Sequence, residues 1–409
     1  MSSLTSEKLR QAAGLVADAG VDAWIIFDRE TCDGGDPVLP LILDGGLTWQ
    51  SALIVSRMGQ RVAVVGNFDA PALESSGDWS QVVPYVQSIR EPLIETLKKL
   101  IPAGADHPRI AVNYSTNDVK ADGISHGMFL LLEEYLRGTR FEGSLVSAEA
   151  IVMPLRSRKT PTEIARIRAA IAETNQIFDL IDKTAAVRMS ERELYDIIQR
   201  EIDARGLGYA WDGAGDPIVN SGPDSMIGHG IPSSDITIAP GHILHVDLGV
   251  TKEGYSSDIQ RCWYVPKPGE SGVSPDVRRA TETVVGAISA GADALRPGVA
   301  GWEVDAAARD FIKQAGYPEY MHALGHQVGR VAHDGGGILG PRWERYGQTP
   351  FVPVEQDQVY TVELGVLVKG RGYLGIEEMV VVTDEGCAWL TTRQIEMAVL
   401  RGCDVIREA

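Results

Sequence analysis

The stretch HILHVDLGVTKEGYSSDIQRCWYV, residues 242–265, decides the fold, because two apolar, strand-like segments flank the turn Lys252-Glu253-Gly254. This order predicts an antiparallel hairpin. Asp247 and Asp258 lie on opposite sides of the turn. Antiparallel pairing therefore makes them cross-strand partners or near-diagonal neighbours, with their side chains on one face of the hairpin.

A second stretch, VYTVELGVLVKGRGYLGIEEMVVV at residues 359–382, repeats the arrangement around another turn. Glu363 and Glu377 are equidistant from Gly370, so they are predicted to oppose each other directly. Like charges that face each other across strands destabilise a sheet unless something neutralises them. Because the surrounding segments are apolar, the two acid pairs predict buried carboxylates that need a cation.

Each hairpin follows two predicted helices. The first pair begins at Thr160-Pro161 and at Ser190, and the second pair begins at Ser274-Pro275, where capping residues precede apolar residues at helical spacing. Two helices and a hairpin, twice over, predict a duplicated unit whose halves pack around a shared centre. We therefore expect an α+β protein in which residues 153–409 form this unit. Residues 1–152 alternate helical and strand patterns and predict a smaller α/β domain, which we interpret as a scaffold or an oligomerisation domain.

Composition limits the classes of partner. The 409-residue chain carries a formal net charge of -18, which repels phosphate backbones and argues against nucleic acid and anionic membranes. The first residues do not have the pattern of a secretory signal, and no apolar run is long enough for a membrane span. Four scattered cysteines without CxxC spacing favour free thiols and a cytoplasmic location.

Histidines supply the remaining candidate ligands. His322, His326 and His333 crowd the segment MHALGHQVGRVAHDGGG, and His229 lies upstream of the first hairpin. Four carboxylates with one imidazole can hold two divalent ions. Oxygen-rich ligation favours manganese, with cobalt or zinc as alternatives. Such ions activate a shared water for hydrolysis, and the other histidines can transfer protons near neutral pH.

The chain resembles the pita-bread metallopeptidase family, which includes methionine aminopeptidase, aminopeptidase P, prolidase and creatinase. The resemblance rests on five ligand positions that occur here in the family's order: Asp247 in VDLG, Asp258 in SSDIQR, His326 in HALGH, Glu363 in TVELG and Glu377 in GIEEMVVVT. It implies a C-terminal pita-bread catalytic domain behind a smaller creatinase-like N-terminal domain. It also implies a homodimer.

The resemblance implies a role for each residue. Asp247 would chelate one ion, Asp258 and Glu377 would bridge both, and His326 and Glu363 would complete the other site. Glu363 would also act as the acid/base. Three further histidines match family positions that contact the substrate: His229 and His333 at the reacting centre, and His322 beside the proline-side residue.

Two departures from the family concern substrate recognition. Glu363 is followed by Leu364 where the family usually has proline, and Gly375 replaces an arginine found in many prolidases and aminopeptidases P. The candidate replacements for that arginine are Arg371, Arg345 and Arg330.

Several functions remain open at this stage. The leading hypothesis is an Xaa-Pro dipeptidase acting on a small peptide through a metal-bridged water, and an Xaa-Pro aminopeptidase acting on longer peptides is the alternative. A creatinase-like amidinohydrolase that uses the fold without metal is less favoured, because all five ligand positions are filled. A non-catalytic pita-bread binding module is less favoured for the same reason.

Overall fold

A computed structural model describes residues 3–104, 107–228 and 230–400. The chain divides into two compact units, Met1–Thr160 and Pro161–Ala409. The expected boundary between residues 152 and 153 lies inside a helix, Glu149–Ser157, which packs against the N-terminal helix and so belongs to the first unit. The division therefore follows that helix rather than splitting it.

The first unit alternates helices and strands, as its sequence predicts. Its helices are α1 (Leu4–Asp18), α2 (Leu39–Ile42), α3 (Ala70–Ser76), α4 (Arg90–Leu100), α5 (His126–Leu136) and α6 (Glu149–Ser157). Its strands are β1 (Ala23–Asp28), β2 (Ser51–Ser56), β3 (Arg61–Gly66), β4 (Gln81–Tyr85), β5 (Ile110–Val112) and β6 (Leu145–Ser147). They form one mixed sheet in the order β4-β3-β2-β1-β5-β6, in which β2 and β3 form a hairpin.

Alternation along β1 builds a core on each face of this sheet. Trp24 and Ile26 join the core that includes residues of α1 and α6. Ile25 and Phe27 point the other way, into the core that includes residues of α4 and α5. The sheet is therefore covered by helices on both faces, which explains why its central strands are continuous apolar runs.

The second unit contains four helices and ten strands among its described residues. The helices are α7 (Pro161–Thr184), α8 (Glu191–Ala204), α9 (Pro275–Ala294) and α10 (Gly301–Gln314). The strands are β7 (Gly208–Tyr209), β8 (Ile218–Ser221), β9 (Ile243–Leu248), β10 (Val250–Lys252), β11 (Tyr255–Ser256), β12 (Ile259–Tyr264), β13 (Val359–Val368), β14 (Gly372–Val382), β15 (Cys387–Trp389) and β16 (Ala398–Val399).

The predicted duplication is confirmed in the order of these elements. Helices α7 and α8 precede the hairpin of β9 and β12, and helices α9 and α10 precede the hairpin of β13 and β14. Capping residues define the helix starts as expected: Ser190 accepts a hydrogen bond from the amide of Glu193, whose carboxylate accepts one in return.

The two hairpins meet through backbone contacts. The β14 strand lies against β9 and β12, and the amide of Ile243 donates to the carbonyl of Arg371 at 2.9 Å. A core of aliphatic and aromatic residues from α9, α10, β13 and β14 covers the opposite face of the second hairpin. The acid-bearing faces of both hairpins are thereby turned toward each other.

Within the described residues, no helix has both the length and the apolar character needed to cross a bilayer.

Candidate metal centre

Strand register places the four predicted acids on the facing sides of the two hairpins. In the first hairpin Gln260 pairs with Asp247 and Ile259 pairs with Leu248, so Asp258 lies diagonally across from Asp247. In the second hairpin Glu363 pairs directly with Glu377. Both predicted relationships are confirmed, because the turns at Gly254 and Gly370 fix the pairing.

Alternation along β14 decides which of two consecutive acids joins the group. Glu377 faces the other acids and is 1% exposed. Glu378 points to the opposite side, where its carboxylate accepts a hydrogen bond from Arg261 Nη2 at 2.9 Å. The charge on Glu378 is thus balanced by a guanidinium, whereas Glu377 is left among carboxylates.

His326 joins the acids from the loop that follows α10. Its Nε2 atom lies 3.6 Å from Asp258 Oδ2 and 3.6 Å from Glu363 Oε1. Asp258, His326 and Glu377 each offer a ligand atom, and these three atoms all lie within 4.8 Å of one another. The five side chains, which come from three stretches of sequence, therefore converge on one small volume.

The acids hold protons tightly in the absence of a cation. Burial raises the pKa of Asp247, with Glu363 and Asp216 adding to the effect. Burial, followed by the neighbouring carboxylates, also raises the pKa of Asp258 and of Glu377 well above the ordinary range. The pKa of Glu363 rises to about 7, chiefly through burial. Four carboxyl groups at this spacing cannot all ionise without a positive partner.

The tautomer of His326 suits metal coordination. Its Nδ1 atom lies 3.1 Å from the carbonyl oxygen of Ala332, which can only accept, so Nδ1 carries the hydrogen. Burial and the neighbouring His333 lower the pKa of His326 to about 3, so the ring is neutral. The lone pair on Nε2 then faces the oxygens of Asp258 and Glu363, an arrangement that only a cation or a proton between them stabilises.

Unsatisfied buried atoms mark the same place. Oδ1 of Asp247 and both carboxylate oxygens of Glu377 are buried and have no hydrogen-bond partner within the part of the chain that the structure describes. Buried polar atoms are nearly always paired, so three orphaned oxygens on facing acids indicate a missing ligand. An oxygen-rich group with one imidazole fits a divalent cation of the manganese, cobalt or zinc type.

The other predicted histidines are His333, His322 and His229. The exposed His333 ring packs edge-on against His326, with ring centroids 4.2 Å apart. His322 is exposed beside Tyr320, at a centroid distance of 5.5 Å. His229 lies outside the described residues.

The loop that carries Tyr320 and His322 is held by arginines. Arg309 donates to the carbonyls of both residues, at 2.7 Å for His322. Arg345 donates to the intervening carbonyl of Met321 at 2.5 Å. Three consecutive carbonyls are therefore fixed by two guanidinium groups, which gives this wall of the site a defined shape.

The three arginines that could replace the family's missing arginine are engaged elsewhere. Arg371 pairs with Asp276, with Nε and Oδ2 3.1 Å apart. Arg330 lies over the ring of Tyr255, and Arg345 stacks on Trp343 as well as binding the 320–322 loop. Of these three arginines, Arg345 is the one whose described contacts connect it to the 320–322 loop.

Two residues of the site were not predicted as such. Gln260 follows Asp258 by two positions, and strand alternation could have placed it on the same face; its Nε2 donates to Glu363 Oε2 at 2.8 Å. Asp216 is buried behind Asp247, accepts a hydrogen bond from the amide of Ala210 at 3.0 Å, and has a pKa raised to about 8 by burial. No periodic pattern surrounds Asp216, so the sequence carried no signal for it.

The chain belongs to metallopeptidase family M24, whose model matches residues 165–384. This stretch contains all five converging side chains. The match to the family therefore lies within the duplicated second unit, and the pita-bread fold expected from the sequence is confirmed.

Known proteins resemble the chain beyond that region. It is 32% identical over 250 residues to the Xaa-Pro dipeptidase of Pyrococcus furiosus, and the alignment spans 60% of this chain and 66% of that protein. The chain therefore aligns with about two thirds of the relative's length. The crystal structure of the X-Pro aminopeptidase of Thermotoga maritima matches with a TM-score of 0.68 and 25% identity, covering 96% of this chain and 99% of that one. The structure of dipeptidase PepE from Mycobacterium ulcerans matches with a TM-score of 0.72 and 25% identity, covering 98% of both chains.

Proposed function

We propose that the protein is a dinuclear-metal hydrolase that cleaves Xaa-Pro dipeptides. The observation that carries the proposal is the convergence of four carboxylates, of which Asp258 and Glu377 are buried, and the Nε2 atom of His326. The names of its relatives supply the substrate class, since the aligned protein of Pyrococcus furiosus is an Xaa-Pro dipeptidase.

Five residues would hold the metal ions. Asp247 would bind one ion, Asp258 and Glu377 would lie between the two, and His326 and Glu363 would complete the second position. Two divalent ions, proposed to be Mn²⁺, supply Lewis acidity toward the scissile carbonyl and a nucleophile at neutral pH.

Glu363 is the proposed proton carrier. Its carboxylate lies beside His326 within the converging group, where it can take a proton and return one, as a general acid/base does. Gln260 donates to Oε2, so Oε1 is left for the reacting side of the site, where it faces His326.

The exposed histidines are proposed to contact the substrate. His333 lies on the solvent side of His326 and can donate a hydrogen bond to a developing oxyanion. His322 stands on the loop fixed by Arg309 and Arg345, where it can line the pocket for the proline-side residue. We propose a corresponding substrate contact for His229 by resemblance.

Metal analysis combined with a dipeptide assay tests the proposal. The purified protein is stripped with a chelator, reloaded with Mn²⁺, and assayed on Ala-Pro. We expect two bound ions per chain and hydrolysis only in the loaded form. Undiminished activity after verified removal of the metal would falsify the proposal and favour the amidinohydrolase class instead.

An Xaa-Pro aminopeptidase is the second candidate, because the X-Pro aminopeptidase of Thermotoga maritima matches the chain over 96% of its length. Faster hydrolysis of a longer peptide with proline second than of Ala-Pro would establish this alternative.

We also propose a cytoplasmic homodimer. Cys32, Cys262 and Cys387 are free thiols, as expected in a reducing compartment. The dimer, and a scaffold role for the first unit, follow from resemblance to relatives, and a monomeric mass by light scattering would exclude that assembly.

A further inference from the structure

We propose that Gln260 is a positioning residue for Glu363, and that His245 orients Gln260 for this task. The inference deepens the proposed function, on which it rests for the role of Glu363. The geometry that carries it is a continuous line of buried hydrogen bonds that ends on the Glu363 carboxylate.

The line begins at Glu363 Oε2, which accepts a hydrogen bond from Gln260 Nε2 at 2.8 Å. Because that amide nitrogen is the donor, Oε1 of Gln260 must accept at its other end. His245 Nε2 lies 3.0 Å from this Oε1. The imidazole therefore fixes which way the Gln260 amide is turned, and a turned amide would place an oxygen against the Glu363 carboxylate.

Packing holds the imidazole in place. With Nε2 donating to Gln260, the Nδ1 atom of the neutral ring carries no hydrogen, and it lies 3.1 Å from the end of the Asn220 side chain. The ring edge of His245 also packs against Tyr373, at a centroid distance of 5.0 Å and an interplanar angle of 86°. His245 is 4% exposed and Gln260 is 7% exposed, so neither side chain can turn freely.

Two glycines leave the space that these side chains occupy. A Cβ atom on Gly375 would lie 2.8 Å from Gln260 Oε1, 3.0 Å from His245 Nε2 and 2.5 Å from Tyr373 Cε1. A Cβ atom on Gly365, its partner across the strands, would lie 2.4 Å from the Tyr373 ring. Side chains at these two positions are therefore incompatible with the observed places of Tyr373, His245 and Gln260.

The arrangement has a direct effect on the proposed base. One carboxylate oxygen of Glu363 is occupied by an amide donor, so the other is the oxygen presented to His326. Without Gln260, the carboxylate would lose both its orientation and a donor to its charged form.

Two variants of equal length test the role of Gln260. Gln260→Met keeps the volume and removes both polar atoms, whereas Gln260→Glu keeps the shape and puts an acceptor against Glu363. We expect Gln260→Met to lower kcat on Ala-Pro by roughly 10- to 100-fold with little change in KM, and to weaken Mn²⁺ binding. Gln260→Glu should lose more than Gln260→Met, because it adds a like charge to the group.

A double-mutant cycle tests the role of His245. Alone, His245→Phe, which keeps the ring packing against Tyr373, should lower kcat as Gln260→Met does. If His245 acts through Gln260, adding His245→Phe to Gln260→Met should cost nothing further. A purely structural role would instead multiply the two losses, and that result would overturn the assignment of His245.

Gln358→Met is the matched control. Gln358 is a buried glutamine of the same unit whose Oε1 accepts a hydrogen bond from Tyr360 at 2.8 Å, away from the acids. It should keep wild-type kcat and Mn²⁺ affinity. Near-ultraviolet circular dichroism verifies the fold of each variant, and if Gln260→Met does not fold, Gln260→Glu and His245→Phe carry the test.

The outcomes separate this inference from the proposed function. If Gln260→Met keeps wild-type kcat and Mn²⁺ affinity, the positioning role is overturned. The activity of the wild-type protein would then still support the proposed function. Wild-type protein that neither binds Mn²⁺ nor cleaves Ala-Pro would refute the function itself before any variant is compared. If the wild-type protein binds Mn²⁺ without cleaving Ala-Pro, the Mn²⁺ affinities of the variants alone test the positioning role of Gln260.

Discussion

Glu363 and Glu377 stand directly opposite each other across β13 and β14, and both oxygens of Glu377 are buried without a hydrogen-bond partner among the described residues. This pairing is unfavourable in a sheet unless a cation or protons lie between the carboxylates. The behaviour of the metal-free protein should therefore differ from that of the loaded protein in several measurable ways.

The stability of the metal-free protein should fall as pH rises. The pKa of Glu363 is raised from 4.5 to about 7, so the folded state holds this proton more tightly than the unfolded chain. Its contribution is fully present below pH 4.5 and is lost as pH rises through 7, by roughly 3 kcal/mol. Urea unfolding at pH 5 and pH 8 in the presence of a chelator measures the difference. Saturation with Mn²⁺ should remove or reverse it, since protons and metal compete for these acids.

Glu377→Gln should have opposite effects on the two forms. The amide removes one buried carboxylate, so the metal-free variant should unfold at a higher temperature than metal-free wild type at pH 8. The same change removes a proposed bridging ligand, so Mn²⁺ should stabilise the variant far less than it stabilises wild type. Calorimetric scans with and without Mn²⁺ provide the measurement. A variant that keeps the full metal-dependent increase in melting temperature would contradict the ligand assignment.

His326→Ala should lose metal without losing the fold. The Nε2 atom of His326 lies 3.6 Å from a carboxylate oxygen of Asp258 and of Glu363. Alanine at this position removes the nitrogen ligand from the proposed metal site. We expect weaker Mn²⁺ binding by isothermal titration and loss of hydrolysis. His322→Ala is the comparison, because that exposed ring packs beside Tyr320 and is not among the five proposed ligands. It should raise KM and keep the metal content.

Arg309→Met should destabilise the second unit by about 3–5 kcal/mol, because it leaves a buried acid unpaired. Arg309 donates to Asp305 from Nε at 2.7 Å and from Nη2 at 2.8 Å, and both residues are buried. Chemical denaturation measures the loss. The double variant Asp305→Leu with Arg309→Met should recover much of the stability. KM should be raised in both variants, because the 320–322 loop has lost its two hydrogen bonds from Arg309.

Gly375→Ala and Gly14→Ala should shift stability in opposite directions. A Cβ atom at Gly375 meets Tyr373, Gln260 and His245 at 3.0 Å or less, so overpacking should cost about 1–3 kcal/mol. Gly14 lies within α1 with nothing within 4 Å of its Cβ position, and alanine there should stabilise by roughly 0.5–1 kcal/mol. Equal melting temperatures for the two variants would contradict the packing described around Gly375.

The sequence predicted those parts of the site that depend on local geometry. A turn glycine fixes the register of a hairpin, so the placement of Glu363 opposite Glu377, and of Asp258 diagonal to Asp247, could be worked out from spacing alone. The helix starts could be predicted as well, because a capping residue acts on the helical turn next to it in the chain.

What the sequence did not predict depends on contacts between elements. Gln260 meets Glu363 only because the second hairpin packs against β9 and β12, and nothing in the local pattern specifies that packing. Similarly, Asp216, whose charge raises the pKa of Asp247, lies in a loop without periodicity. The α6 helix was divided by the expected domain boundary because a proline at position 154 suggested a break, yet the helix continues through it.

The acids are shared equally between two copies of one structural unit: two on the first hairpin and two on the second. Either half expressed alone would present two carboxylates on a bare sheet face, and the first half would also lack the imidazole of His326. Such a fragment could complete a four-acid cage only by pairing with another fragment. In a split-protein experiment the two halves are mixed and Mn²⁺ is added. Reassembly of the halves should therefore depend on the ion.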